Sequence, residues 1–252
     1  MNDGSEGCRY CGRTPRTKEH ALAKQLAELL PQPVSMTAER IQLDSDGETL
    51  LSSWTTTTPA SVVVKDFCTM CNGGFMNSID SAIKDEFAQL VNGSPIVLDG
   101  PAIARWAAWA TKQALSYQAA YPEDLSDPGD YTRFYGLQEP LPHSFIHLGR
   151  SSAPLPWVHF HARRPMWLTE LFGEERRCGL QVWIAVYGHL VVRVILVHEE
   201  QAVSLVMADD GRLVRLHPDP ATEVDLGALP PMDERHVAEV SKLSAVIRRA
   251  AT

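Results

Sequence analysis

The sequence lacks a long, uninterrupted apolar run of the kind that crosses a membrane. Its longest apolar stretch, residues 182–197, is broken by Gly188, His189 and Arg193, whereas a membrane-spanning helix needs about 20 consecutive, mostly apolar residues. No basic segment leads into an apolar one near the first residue, so the pattern of a secretory signal peptide is missing as well. We therefore expect a cytoplasmic protein with no membrane partner.

The sequence also lacks an excess of basic side chains. Its 23 lysines and arginines are outnumbered by 31 aspartates and glutamates, which gives a formal net charge of −8. This balance excludes a generally basic coat for nucleic acid, but it leaves room for a local basic patch over a small site. Four basic side chains near the first cysteine pair either contact phosphate or form an ordinary solvent-exposed surface: Arg13, Arg16, Lys18 and Lys24.

Cysteine is scarce, with five among 252 residues, yet four of the five fall into two pairs. Cys8-x-x-Cys11 and Cys68-x-x-Cys71 each place two sulfurs on one tight turn, and two such turns brought together form a tetrahedral four-thiolate site for Zn²⁺. In the cytoplasm, paired cysteines indicate a metal site more often than a disulfide. We predict structural zinc on these four thiols, with redox or incidental cysteines as the alternative. Cys178 is expected to be a free thiol.

The segment between the two cysteine pairs is longer than in a compact zinc ribbon, so a folded element must lie within it. A helix is predicted over residues 20–30, and strands are predicted over 35–43 and 50–57 on either side of a turn. A further strand over 62–67 delivers the second cysteine pair. We place these elements in a zinc-knuckle module at residues 1–92.

Helical patterns follow the second cysteine pair and recur at the end of the chain. Residues 75–91 show apolar positions on one face, a Gly100-Pro101 step opens the next helix, and 232–250 closes the chain. Residues 122–142 are rich in Pro, Asp and Gly and are interpreted as an excursion between regular elements.

The region after residue 142 has the alternating pattern of strands. A hairpin turn is predicted at Gly188-His189 between two of them. The predicted strands cover residues 143–148, 157–162, 180–187, 190–198, 203–207 and 213–216. We therefore predict an α+β fold in which residues 93–252 form an α+β domain with a mainly antiparallel sheet.

Two segments resemble a known family. Residues 8–22, CRYCGRTPRTKEHAL, and residues 62–80, VVVKDFCTMCNGGFMNSID, resemble a bacterial HNH endonuclease of the treble-clef, or ββα-metal, type. The likeness lies in a CxxC pair, then an acidic residue followed by His, then CxxCN followed by Gly, an aromatic residue and Met. It covers residues 8–85, and residues 104–112 resemble a helix that often follows this module.

The resemblance implies metal-dependent hydrolysis of nucleic-acid phosphodiester bonds, with DNA as the favoured substrate. It assigns His20 as the general base, Glu19 as an oxygen ligand of a divalent cation and Asn72 as a second ligand. Mg²⁺ or Mn²⁺ would polarise the phosphoryl oxygens while an imidazole takes the proton of water. We expect the C-terminal domain to select the substrate or to form a homodimer.

The sequence departs from the family pattern around the histidine. Val63 stands where the family often has an Asn that orients the catalytic His, and Glu19 replaces the more common Asp. Ala21-Leu22-Ala23 replaces the usual Ile-x-Pro. Two alternatives therefore stay open: the scaffold serves a small-molecule metabolic or biosynthetic reaction, or it is a non-catalytic zinc-binding interaction module.

Several polar and aromatic side chains outside the motif are weaker candidates. His159 and His161 are two residues apart on a predicted strand and so share a face, where His147 could join them in a second metal site; a polar strand face is the alternative. Asn77 and Asp80 lie on the helix after the second cysteine pair and are expected to be solvated. Three tryptophans have two alternative roles, stacking on a planar ligand or packing in the core: Trp157, Trp167 and Trp183.

Overall fold

The computed structural model describes residues 7–14, 16–30, 36–44, 47–56, 62–120, 127–167, 177–197 and 211–241. For residues 36–44, 47–56, 155–167 and 177–180, and for residues 16 and 241, the description covers the backbone. Helices and strands are mixed along the chain, and its sheets are largely antiparallel. The mixed α+β class and the antiparallel sheets predicted from the sequence are therefore confirmed.

The strands are numbered in chain order. They are β1 (Arg16–His20), β2 (Met36–Asp44), β3 (Gly47–Thr56), β4 (Val63–Cys68), β5 (Val97–Asp99), β6 (Ser144–Trp167), β7 (Arg177–Val197), β8 (Leu213–His217) and β9 (Glu223–Asp225). The helices are α1 (Lys24–Ala27), α2 (Thr69–Cys71), α3 (Asn77–Ala82), α4 (Lys84–Val91), α5 (Gly100–Ala119), α6 (Pro128–Leu137) and α7 (Glu234–Ser241). A π-helical turn, Asn72–Met76, joins α2 to α3.

The described strands form two small sheets and one large one. β1 pairs antiparallel with β4, and β5 pairs antiparallel with β9. In the large sheet β6 and β7 form a long antiparallel pair, and β8 lies beside the first part of β6. Apart from β8, the strand order of the sheet is β3-β2-β6-β7, in which β2 runs parallel to the later part of β6.

The segment between the cysteine pairs contributes to the large sheet. β2 and β3 form the predicted hairpin, which is confirmed, with Asp44 opposite Gly47 at its turn. β2 then pairs with β6 from Thr37 opposite Val158 to Gln42 opposite Arg163. The hairpin between the two knuckles is thus part of the same sheet as strands from the second half of the chain.

Helix α5 lies at the centre of the molecule. Asp99 caps it by accepting a hydrogen bond from the backbone N–H of Ala102 at 2.8 Å, and Pro101 occupies its first turn, as the sequence predicts. Its indoles pack into an aromatic cluster, with Trp106 and Trp109 centroids 5.3 Å apart. Nearly all of its residues from Ala102 onward are buried, so it packs on every side.

One hydrophobic core runs from the first knuckle to the strands near the end of the described chain. It includes Cys8, Leu22, Phe87, Trp109 and Leu226, among others. The core therefore continues across residue 92, where the module boundary was placed; that boundary stays a prediction. In the described part of the chain, every helix is too short or too polar to cross a membrane.

The predicted hairpin at Gly188-His189 is wrong, because β7 continues through both residues. Gly188 adopts a left-handed φ of +60°, and a side chain there would collide with the carbonyl of Val91. His189 Nδ1 lies 3.0 Å from the carbonyl oxygen of Ser151 on β6. The glycine is therefore required by a close approach between strand and helix end and not by a reversal of the chain.

Three helix predictions need correction. The helix at 20–30 is reduced to α1, because His20 ends β1 and the following backbone N–H, that of Ala21, donates to the carbonyl of Val62 at 2.8 Å. The helix at 75–91 is divided at Ile83, whose φ and ψ are −112° and 0°. Helix α6 forms within the excursion at 122–142, because Asp127 caps it and Pro128 starts it.

Parts of some predicted elements lie outside the described residues. These are the predicted strand at 203–207 and the end of the closing helix after residue 241. Within the description α7 falls inside the predicted helix, and β8 covers the predicted strand at 213–216.

Candidate functional site

The first cysteine pair sits on a turn closed by backbone hydrogen bonds. The N–H of Gly12 donates to the carbonyl of Cys8 at 2.7 Å, and the N–H of Cys8 donates to the carbonyl of Arg13 at 2.9 Å. Gly12 has a φ of +69°, which favours glycine at this position of the turn. Arg9 ties the turn to β4, since its Nε donates to Asp66 Oδ2 at 2.7 Å.

The second cysteine pair completes a four-sulfur cluster. Cys68 ends β4, and Cys71 follows on the single turn of α2. All four sulfurs lie within 4.8 Å of one another, with Cys11 3.6 Å from Cys68 and 3.4 Å from Cys71. Tetrahedral zinc with Zn–S bonds of about 2.3 Å requires sulfurs about 3.8 Å apart. The thiols of Cys8, Cys11, Cys68 and Cys71 are thus positioned to bind a metal ion and are compatible with structural zinc.

Burial side by side shifts the pKa values of these thiols. Burial raises the pKa of Cys11 and of Cys71, because a lone thiolate in this setting is poorly solvated. For Cys68, burial acts in the same direction, but hydrogen bonds from the backbone of Cys71 and from neighbouring thiols lower its pKa to about 7. A metal ion would neutralise the thiolates and remove the penalty of burying them.

The structure places Glu19 and His20 at the end of β1, where the strand pairs with the start of β4. A bulge between Thr17 and Glu19 shifts the register, so Glu19 lies opposite Val64 and His20 opposite Val63. Both side chains are half-buried. Arg16 at the start of β1 lies opposite Cys68, so Glu19 and His20 are at the other end of the strand pair from the second knuckle.

Asn72 comes directly after the second knuckle and contacts Glu19. Its side chain lies near enough to the Glu19 carboxyl group to hydrogen-bond it, and the charge of His20 acts on the same group. Burial raises the pKa of Glu19 most strongly, while the charge of Lys112 and the Asn72 hydrogen bond oppose the rise. The structure therefore brings Glu19 and Asn72 together, with His20 as the next residue along β1.

Val63 occupies the position across the strand from His20. Its side chain is 37% exposed, and it offers only methyl groups. A valine neither donates nor accepts a hydrogen bond, so it cannot orient the imidazole as an asparagine would.

Sequence reasoning missed a buried ion pair beside Glu19. The expectation that Asp80 is solvated is wrong, since only 2% of it is exposed. Lys112 of α5, fully buried, donates to Asp80 Oδ2 at 2.6 Å and to Oδ1 at 2.8 Å. Trp109 Nε1 donates to Asp80 Oδ1 at 3.1 Å. A usable signal was present: Asp80 shares its helix face with Met76 and Ile83, and Lys112 lies in a segment of mostly apolar residues, 102–119.

His147 does not support the second metal site considered for His159 and His161. Burial lowers its pKa well below the usual value, and the charges of Arg193 and Arg215 act in the same direction. Two arginines beside it disfavour a cation there. The side chains of His159 and His161 lie outside those described, and among the described side chains the cysteine cluster is the metal-ligating group.

The remaining candidates divide between core and surface. Trp183 is buried and packs against Tyr117 at 5.7 Å between ring centroids, so its role is core packing. The side chains of Trp157, Trp167, Arg16 and Cys178 lie outside those described. Arg13, Lys18 and Lys24 are exposed, and Asn77 is exposed as expected.

The chain matches no protein-family model, no curated protein and no solved structure in the three comparisons made. The likeness to HNH endonucleases accordingly rests on the two cysteine-bearing segments alone. The feature that the structure supports is a four-cysteine metal site of the zinc-knuckle kind.

Proposed function

We propose that this protein is a metal-dependent endonuclease of the HNH type that hydrolyses phosphodiester bonds in nucleic acid, with DNA as the favoured substrate. The observation that carries the proposal is that the Glu19 carboxyl group, with His20 next to it on β1, lies close to Asn72, which directly follows the last cysteine of the four-cysteine cluster. A knuckle, two antiparallel strands and a helical segment after the second knuckle also suit the treble-clef, or ββα-metal, arrangement.

In this proposal the cysteine site is structural. Four thiolates close the tetrahedral coordination of zinc and leave no position for substrate. Zinc would hold the first knuckle against the start of α2, and this fixes β1 and Asn72 relative to each other. The chemistry then falls to the polar side chains next to the cluster.

Glu19 and Asn72 are suited to hold a divalent cation. The carboxylate oxygens of Glu19 are hard ligands, and the Asn72 amide can donate its N–H to Glu19 while its carbonyl oxygen stays available. Few protein ligands suffice, because Mg²⁺ keeps several waters and accepts phosphate oxygens. When bound, the cation supplies polarisation of the phosphoryl oxygens and stabilisation of the leaving alkoxide.

His20 is suited to act as the general base. An imidazole takes a proton from water near neutral pH, and such a base contributes about 100- to 10,000-fold to a rate. His20 is half-buried on a paired strand, so its backbone is fixed while part of its ring remains accessible. Arg13 and Lys18, both exposed nearby in the chain, are available for phosphate contacts.

One observation favours the alternative of a non-catalytic zinc-binding interaction module. Val63 faces His20 across the strand pair and leaves the imidazole without the orienting amide of the family pattern. A protein that keeps the zinc-binding fold but has no nuclease activity has no need of an asparagine at this position.

The test is cleavage of supercoiled plasmid by the zinc-loaded protein with Mg²⁺ or Mn²⁺. We expect wild type to cleave and His20→Ala to lose the activity while zinc content and circular dichroism stay unchanged. His236→Ala, which removes a partly exposed histidine on α7, is the matched control and should cleave as wild type does. If wild type cleaves with none of the divalent ions, or if His20→Ala cleaves equally, the nuclease proposal is wrong.

A further inference from the structure

Helix α5 carries two groups in which a cation and an indole share one carboxylate. In the first, Arg105 donates to Glu86 Oε1 at 2.8 Å and Trp106 Nε1 donates to Glu86 Oε2 at 2.7 Å. This group joins α5 to α4 and is partly exposed, with 40% of the Arg105 side chain accessible. This group therefore stabilises the contact between the two helices at the surface.

The second group has the same chemistry but a different setting. Lys112 and Trp109 both bind Asp80 of α3, and the Lys112 and Asp80 side chains are 0% and 3% accessible. A buried ion pair gains stability only when its geometry is good and its remaining bonds are satisfied, so it is weak evidence for a stabilising role alone.

This buried group touches the strand end that carries Glu19 and His20. In the amide orientation that satisfies both partners, Gln113 Nε2 donates to the carbonyl of Ala21 at 2.9 Å, and its Oε1 accepts from Trp109 Nε1 at 3.2 Å. Glu19 in turn interacts electrostatically with both Lys112 and Asp80. A continuous set of polar contacts therefore runs from α3 through α5 to the residue after His20.

Charge explains why a lysine stands at this place. Glu19 and Asp80 are two carboxyl groups that act on each other in a partly buried region, where like charges repel strongly. Lys112 is the cation that attracts both carboxyl groups, and it forms an ion pair with Asp80. Without it, Asp80 would be an uncompensated buried charge behind the Glu19 carboxylate.

We propose that α5 is part of the candidate site, with Gln113 as a positioning residue that fixes the backbone after His20, and with Trp109, Asp80 and Lys112 holding Gln113 in place. The role of His20 in this inference rests on the proposed function. Lys112 is fully buried, so it acts through Asp80 and Trp109 and does not touch substrate.

The test compares neutral replacements of the two groups in the full-length, zinc-loaded protein. Asp80→Asn with Lys112→Met removes both buried charges together and leaves neither one unpaired. Glu86→Gln with Arg105→Met makes the same change in the surface group and is the matched control. Should the first double variant not fold, Gln113→Met removes the contact to Ala21 alone, and Gln118→Met, a buried glutamine on the same helix, is its control.

Two readouts are taken, the NMR signals of the His20 imidazole and the rate of plasmid cleavage. We expect the D80N/K112M and Q113M proteins to shift the His20 signals and to lose about 10- to 100-fold in kcat with a smaller change in KM, while both controls match wild type. Unchanged His20 signals in folded D80N/K112M and Q113M proteins would overturn the inference. If wild type cleaves nothing, the proposed function fails, yet the His20 signals still decide whether α5 positions this strand end.

Discussion

At the scale of single residues, Glu19 differs most from what its place in the sequence indicates. An acid just before an apolar helical pattern is ordinarily a first-turn residue favoured by the helix dipole. Here it is the last residue but one of β1, half-buried, close to Asn72 and under the electrostatic influence of Lys112 and Asp80. Burial raises its pKa despite the nearby lysine, so ionised Glu19 is less stable here than in water, and a bound cation would relieve that penalty.

Replacing Glu19 with Gln should stabilise the fold at neutral pH and lower the cleavage rate. Because the folded pKa of Glu19 is raised, the acid contributes stability below its unfolded pKa of about 4.3 and loses that contribution as the pH rises through the folded value. The E19Q protein should therefore exceed wild type in free energy of unfolding near pH 7, with a gain that shrinks toward acid pH. Cleavage should fall at least about tenfold.

Denaturant unfolding at several pH values, beside plasmid cleavage, checks this expectation. The exposed Glu139 provides a control, since Glu139→Gln should change neither quantity. An E19Q protein that is less stable than wild type at neutral pH would contradict the account of Glu19.

Val63 offers a test in which activity should rise. An asparagine at this position could orient the His20 ring across the strand pair, so Val63→Asn should increase the cleavage rate by about tenfold. The side chain is 37% exposed, and the loss of strand preference should alter stability by no more than about 1 kcal/mol. Val97→Asn, at an exposed strand valine far along the chain, is the control. A V63N protein with an unchanged rate would show that His20 needs no partner there.

At the scale of elements, α5 ties the candidate site to the rest of the fold. Its Asp99 cap and Pro101 start are local signals, so the helix could be predicted from the sequence. Its burial on all sides and its pairing of Lys112 with Asp80 depend on which elements surround it, which no local pattern contains.

The Asp80–Lys112 pair should show strong coupling in stability. Lys112→Met alone leaves a buried carboxylate without its cation and should cost about 3–5 kcal/mol, whereas the D80N/K112M protein should lose much less. Urea unfolding of the single and double variants measures the coupling. The exposed pair Arg235–Glu239 on α7 should couple by less than about 1 kcal/mol. Additive effects of Asp80→Asn and Lys112→Met would contradict a buried, mutually dependent pair.

The elements that could be predicted are those with local signals, and those that could not depend on distant partners. The two CxxC motifs predicted the metal cluster, and two strand patterns on either side of a turn predicted the β2–β3 hairpin. The parallel pairing of β2 with β6, the small β5–β9 sheet and the continuity of β7 through Gly188 are set by residues far away in sequence. At the site, the positions of His20 and Asn72 followed from the motif, but Lys112 and Gln113 did not.

At the scale of the whole molecule, the metal cluster and the core are joined. The four thiols belong to or pack against the hydrophobic core that continues past residue 92 to Leu226. The net charge of −8 confines any nucleic-acid contact to a local surface with a cation, which is consistent with a small site at the end of β1.

Removing the metal should therefore lower the stability of the whole protein and not of one part alone. Structural zinc contributes about 10 kcal/mol or more to the folding of small zinc modules, so a chelator or Cys8→Ser should remove close to one zinc per chain and lower the unfolding temperature markedly. Because the core is shared, calorimetry should show one transition. Two separate transitions, of which only one responds to the chelator, would contradict a shared core.

The central claim is that His20 acts as the base of a cation-dependent phosphodiesterase, and the cleavage rate of zinc-loaded wild type beside His20→Ala tests it most directly. With Mg²⁺ or Mn²⁺ present in excess, wild type should nick and linearise plasmid DNA, and the variant should be about 100- to 10,000-fold slower at equal zinc content. Equal rates for the two proteins, or no cleavage by wild type with either ion, would contradict the claim.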